Sequence, residues 1–151
     1  MKTTVFTKYH IANGAKMAEF AGYNMPIEFS GINDEHATVR NGVGVFDVSH
    51  MGRLRVEGPD AVAFLQHVLT SNVLALDLDK AQYCIIPAED GSAVDDAYLY
   101  RFFEDWYLLV VNAANTDKDL AHLLPLAEKF DVKITNISAD YASIAVQGPK
   151  S

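Results

Sequence analysis

One cysteine, Cys84, is present, so the chain can form no internal disulfide and no multi-cysteine metal centre. Long hydrophobic runs are missing. The longest, such as Leu108 to Val111, fall far short of the ~20 apolar residues that a membrane-spanning helix needs. The opening stretch, MKTTVFTKYHIANG, has one Lys but no continuous apolar core and no small-residue cleavage site. That argues against a signal peptide, and a cytoplasmic location is the expectation. Positive charge is scarce: 12 Lys and Arg stand against 20 Asp and Glu, a net charge of −8. Residues 1–55 carry six basic and five acidic side chains and residues 56–151 carry six and fifteen, with no Lys/Arg stripe. Nucleic-acid binding therefore has little support, and an anionic ligand would need local donors such as Arg40, Arg53 or Arg55. Neither GxGxxG nor a P-loop occurs, so no dinucleotide or nucleoside triphosphate is implied. His36 and His50 stand too far from other ligand-type residues to suggest a metal site or a Ser-His-Asp triad, and both read as structural.

What is present is the composition of an ordinary soluble globular chain, with 151 residues, 50% hydrophobic and 21% charged, enough for one domain or one and a half. Glycines at 22, 31, 42, 44 and 52 punctuate the first third, which should be loop-rich. NDEHATVRNGVG reads as a helix capped by Asn33 or Asp34 and stopped near Gly42. RLRVEG reads as a strand. GPDAVAFLQHVLT follows as an amphipathic helix with Pro59 in its first turn and Ala61, Val62, Phe64, Leu65, Val68 and Leu69 as its buried stripe. AQYCIIP, AVDDAYLYRF and WYLLVVNA are three strands. TDKDLAHLL begins a helix after Asn115 that Pro125 should end or kink. DVKITNI and YASIAVQG are the last two strands. Cys84, within an apolar strand and without a basic neighbour, reads as an inert core thiol.

The stretch SAVDDAYLYR places two adjacent carboxylates at the start of a strand. In an extended chain Val94, Asp96, Tyr98 and Tyr100 share one face, and Asp95, Ala97, Leu99 and Arg101 the other. Asp96 is then either a turn acid at the start of the strand or a partly buried acid in a ligand pocket. The strand and its successor from Trp106 form a hairpin. A three-residue loop would set Asp96 opposite Asn112; a two-residue loop would set it opposite Ala113. In the first register a carboxylate and a carboxamide lie side by side, a pairing suited to reading the edge of a heterocycle. Asn112 could instead cap the following helix. Tyr83, Tyr98 and Tyr100 offer flat apolar walls, although strand aromatics are more often core than ligand platform.

RLRVEGPDA and SIAVQGPKS repeat one pattern, from strand through Gly-Pro into a helix start, and the second copy stops at Ser151. A fragment of a longer protein is the expectation.

Six stretches in order, MAEFAGYNMPIEF, EHATVRNGVGVFDVSHMG, VEGPDA, AVDDAYLY, VNAANTDKD and AVQGPK, resemble the aminomethyltransferase (T-protein) family of the glycine cleavage system, specifically its N-terminal part. The resemblance implies an α+β fold of antiparallel sheets with packed helices. Within it, residues 52–139 would form a ferredoxin-like domain, and residues 1–51 with 140–151 part of a neighbouring one. It implies transfer of a one-carbon unit from the aminomethyl-lipoyl arm of the H-protein to tetrahydrofolate, with release of ammonia and formation of 5,10-methylenetetrahydrofolate. Asp96 is similar to the family's catalytic acid beside the pterin, and Asn112 to a folate contact. Tyr83 stands at an aromatic pocket position, and Met51 in the SHMG loop that closes on the ligand. These parallels, with Tyr98 on the Asp96 face, favour the three-residue register.

The family usually has two glycines and an aliphatic run around the acid pair. Here the stretch is DGSAVDDAYLY, with Ala97 and Tyr98 at aliphatic positions, so an altered pocket shape is expected. Residues that grip the pterin and the glutamate tail would lie beyond position 151. The fragment is accordingly expected to bind folate weakly or not at all, to be inactive alone, and to self-associate or be partly disordered within residues 1–51. Two other readings of the same fold are the folate domain of a dimethylglycine or sarcosine dehydrogenase-like enzyme, and a non-catalytic folate-binding protein of iron–sulfur assembly.

Overall fold

Segments that alternate with period two form strands, and those with helical spacing cover them on one side. The computed structural model describes all 151 residues. It divides into two compact units, Met1–His50 with Asp140–Ser151, and Met51–Ala139.

The first unit contains α1 (Thr7–Ala12), a hairpin of β1 (Lys16–Phe20) and β2 (Tyr23–Glu28), α2 (Ile32–Asn41), and β3 (Gly44–Asp47) paired antiparallel with the last strand, β9 (Ile144–Gln147). Its core is thin: Met25 is its one buried hydrophobic side chain, and α2 buries none. Polar bonds hold its centre instead. Asp47 Oδ2 lies 2.9 Å from His10 Nε2 and accepts from Thr4 Oγ1 at 2.6 Å, while Asp47 Oδ1 accepts the Ser49 amide at 3.0 Å. Burial alone would push this carboxyl up, but the bonds from Thr4, Ser49 and His10 together hold it below its usual value. The expected cap of α2 is corrected. Gly31, not Asn33 or Asp34, precedes the helix, and Glu35 reaches back one turn to accept the amides of Phe29, Ser30 and Gly31.

The second unit carries β4 (Gly52–Glu57), α3 (Ala61–Val68), β5 (Lys80–Pro87), β6 (Ala93–Phe103), β7 (Trp106–Val111), α4 (Thr116–Ala127) and β8 (Lys133–Asn136). The strands form one antiparallel sheet in the order β5-β6-β7-β4-β8. Without the edge strand β5 this is the βαββαβ ferredoxin-like arrangement. One sheet face is sealed: Leu54, Val56, Leu99, Leu109 and Val111 are fully buried in one cluster with Phe64 and Leu65 of α3 and Leu123 of α4. Each such side chain contributes on the order of 2 kcal/mol by leaving water. On the other face Tyr83, Asp96, Tyr98 and Tyr100 stand exposed.

Three local features place the site. At the tip of the β6–β7 hairpin Phe103 pairs with Trp106 around a two-residue turn, and a bulge between Arg101 and Phe103 absorbs one residue. Beyond the bulge Arg101 pairs with Tyr107 and Ala97 with Val111, so Asp96 comes level with Asn112. The register is the one expected of a three-residue loop, reached by a shorter turn plus a bulge. Gly52 lets β4 approach α4 closely, since a Cβ there would lie 2.6 Å from Val111 Cγ2 and within 3 Å of the Thr116 side chain. Finally, Pro125 does not end α4, which runs on to Ala127.

Candidate functional site on the open face of the sheet

The carboxylate of Asp96 is held at both oxygens. Asn112 Nδ2 donates to Oδ1 at 2.7 Å and the Tyr83 hydroxyl donates to Oδ2 at 3.0 Å. Tyr83 reaches it diagonally across the β5–β6 ladder, because Tyr83 pairs with Tyr98 and Asp96 with Ile85. The bond to Asp96 pushes the Tyr83 phenol above its usual value. Tyr98 meets the Tyr83 ring edge-on at 5.6 Å, and Tyr100 and Phe102 continue the row, stacked at 6.1 Å. The result is an anchored anion at one end of an exposed aromatic strip, with open lone pairs and flat apolar surface beside it. Such a surface can hold a flat heterocycle and accept hydrogen bonds from its N–H groups.

Asp96, Asn112, Tyr83 and Tyr98 are thus brought together. Met51 lies in the bend before β4. It directly precedes Gly52, which pairs with Val111, the residue before Asn112. Asn112 does not use its side chain as a helix cap; its backbone carbonyl accepts the Asn115 amide and the Thr116 hydroxyl, while the amide group turns to the acids.

The expectation that Asp96 is the partly buried acid is corrected. Asp96 is exposed, and Asp95 is the buried one at 9% exposure. Asp95 Oδ1 accepts Asn112 Nδ2 at 2.9 Å and Asn115 Nδ2 at 3.0 Å. Behind it, Asp119 of α4 is fully buried, its amide bonded to the carbonyl of the same Asn115 whose side chain donates to Asp95. Burial, then the neighbouring Asp95 carboxyl and its charge, push Asp119 up to about 7. Burial pushes Asp95 up as well, but the bonds from Asn112 and Asn115, with the neighbouring Asp119 carboxyl, outweigh it and hold Asp95 below its usual value. Sequence reasoning passed over Asp119 and Asn115. The available signal was spacing: Asp119, Leu123 and Ala127 recur every four residues on the buried stripe of α4, an unusual place for an acid.

Other candidates have no part in this constellation. The His50 ring lies edge-on to Phe20 at 5.5 Å and Tyr23 at 6.2 Å. Burial pushes the Cys84 thiol up to about 11, which suits an inert core thiol. The first unit has a groove of about 910 Å³ lined by Tyr9, Met25, Phe29, Phe46 and others, and none of the site residues borders it.

Fold and geometry together define an α+β protein with a doubly anchored acid and an aromatic strip exposed on one face of a ferredoxin-like sheet. Comparison with known proteins is more specific: residues 6–151 match the family described as the GCVT N-terminal domain, and the chain belongs to that family. Among curated relatives, the aminomethyltransferase of Bacteroides fragilis is 57% identical over the whole chain, which covers 42% of that protein. That of Thermus thermophilus is 49% identical, again over the whole chain, with 43% of the relative covered. The crystal structure of glycine cleavage system aminomethyltransferase T from Bartonella henselae superposes with a TM-score of 0.93 at 35% identity, covering 99% of this chain and 41% of that one. The chain spans about two-fifths of the length of the relatives it matches.

Proposed function

We propose that the complete polypeptide containing this segment is the aminomethyltransferase of a glycine cleavage system. It takes the aminomethyl group from the lipoyl arm of the H-protein, releases ammonia and delivers the one-carbon unit to tetrahydrofolate. The relatives reported above are named aminomethyltransferases, which favours this reading over a dehydrogenase-fused folate domain or an iron–sulfur assembly protein. The observation that carries it is the doubly anchored Asp96 at the end of an exposed aromatic strip. Two acceptor oxygens beside tyrosine faces fit a reduced pterin, whose ring carries N–H donors.

When bound, tetrahydrofolate would supply the amine that accepts the one-carbon unit. Asp96 would hold that amine by a hydrogen bond and carry a proton toward the departing ammonia. Asn112 and Tyr83 keep the carboxylate in one orientation, and Tyr98 and Tyr83 offer apolar surface for the ring. Met51 would close against it. Most of the acceleration would come from holding two large substrates in attacking geometry, worth up to roughly 7–11 kcal/mol.

The test is Asp96→Asn in the complete enzyme. Asn cannot accept or move the proton, so transfer to tetrahydrofolate should fall about 10²-fold or more while the fold is unchanged. Undiminished transfer would remove Asp96 from the chemistry.

A further inference from the structure

Asn112 is caught between two acids. Its Nδ2 carries two hydrogens and lies 2.7 Å from Asp96 Oδ1 and 2.9 Å from Asp95 Oδ1. Turning the amide over would set its carbonyl oxygen against both carboxylates with no proton between them. The orientation is therefore dictated by charge, and the Asn112 carbonyl oxygen is left for a ligand.

The strength of this arrangement depends on Asp95, and Asp95 depends on Asp119. Asp119 Oδ1, Asp119 Oδ2 and Asp95 Oδ2 are all sealed from solvent, and none has a hydrogen-bond partner. Two ionised carboxylates there would repel in a dry site with nothing to offset them. A single proton on Asp119, donated to Asp95, relieves this and leaves Asp95 ionised toward the two asparagines. Three charged neighbours surround Asp119. Asp95 and Asp96 come from β6, and Lys118 of α4 donates its ammonium to the Val94 carbonyl at 2.6 Å. His122, one turn further along α4, lies 3.2 Å from the Pro87 carbonyl.

We propose that Asp119 is a positioning residue: by sharing its proton with Asp95 it locks Asn112 with nitrogen inward and carbonyl oxygen outward, so that the site selects ligands presenting an N–H donor. The ligand half of this inference rests on the folate reading above, whereas the lock rests on the side chains alone. When Asp119 loses its proton, a second negative charge beside Asp95 loosens the pair and with it the Asn112 amide.

Side-chain NMR of the complete polypeptide, labelled at Asp carboxyl carbons and Asn amide nitrogens, tests it. The Asp119 carboxyl should titrate near 7, and the Asn112 side-chain amide signals should move with the same midpoint. In Asp119→Asn, which keeps an N–H donor toward Asp95, that midpoint should vanish from Asn112. If that variant does not fold, the unsubstituted titration still decides. Asp119 titrating in the ordinary carboxylate range, or Asn112 signals blind to it, overturns the lock. Affinity for tetrahydrofolate, measured in parallel at pH 6 and pH 8.5, should weaken several-fold at the higher pH and lose this dependence in Asp119→Asn. Binding that is tight but independent of pH refutes the ligand half. No binding at either pH, with the Asn112 midpoint intact, refutes the folate reading and leaves the lock standing.

Discussion

Asp119 makes the stability of the second unit depend on pH in the direction opposite to most carboxylates. Its pKa rises from an ordinary 3.8 to about 7 in the folded chain. Between those values the folded state holds a proton that the unfolded state has released. Stability from this group is complete below the unfolded value and is lost as pH rises through the folded one. Each pH unit between the two values corresponds to about 1.4 kcal/mol, so the window is worth roughly 4 kcal/mol at most. Asp95, held below its usual value chiefly by Asn112, contributes stability that is lost only as pH falls below its unfolded value, outside this window. The perturbation is Asp119→Asn, which keeps shape and a donor but cannot titrate. Trp106, the single tryptophan, lies in the second unit, so its fluorescence in a urea titration follows this unit. Between pH 5 and pH 8.5, which spans about two pH units of that window, the stability of the variant relative to the unsubstituted chain should climb by roughly 2–3 kcal/mol, with the urea slope unchanged. A difference constant to within about 0.5 kcal/mol over that range would refute a protonated Asp119.

Gly58 has φ +135, and a Cβ there would lie 2.5 Å from the Asp131 carbonyl oxygen. Gly58→Ala should therefore cost about 2 kcal/mol or more, and thermal unfolding showing less than about 0.5 kcal/mol would contradict this close approach. Cys84, buried and pushed up to about 11, should react with iodoacetamide at pH 8 only as fast as the second unit opens, so rapid labelling of the native chain would count against a sealed thiol. The 151-residue chain alone should bind tetrahydrofolate more weakly than about 0.1 mM by calorimetry, since it covers only two-fifths of its relatives; micromolar binding would show it to be self-sufficient. Tyr9, Phe20, Ile32 and Val45 of the first unit are each at least 60% exposed, and light scattering should find this chain self-associated; a strict monomer would contradict that expectation.

Much of this protein is determined by the local order of its residues. Strand alternation in AVDDAYLYRFF and WYLLVV, and helical spacing in AVAFLQHV, are properties of chain geometry, so the sheet and its helices are legible before any contact is known. The same parity puts Asp96 in line with Tyr98. Tertiary structure decided which of the two faces is sealed, because that depends on where α3 and α4 pack, and so it decided that Asp96 is exposed and Asp95 buried. It decided the hairpin register as well, through a bulge that no loop-length rule specifies. Glu35 displaced Asn33 and Asp34 as the cap of α2 because a long carboxylate can reach back over three amides at once. Asp119 shows the division most clearly. Its place on a buried stripe is visible in its spacing from Leu123 and Ala127, but its proton is not. Burial first, and then a second acid beside it, keep this carboxyl group protonated toward neutral pH, and Asp95 arrives there from a strand 24 residues earlier in the chain.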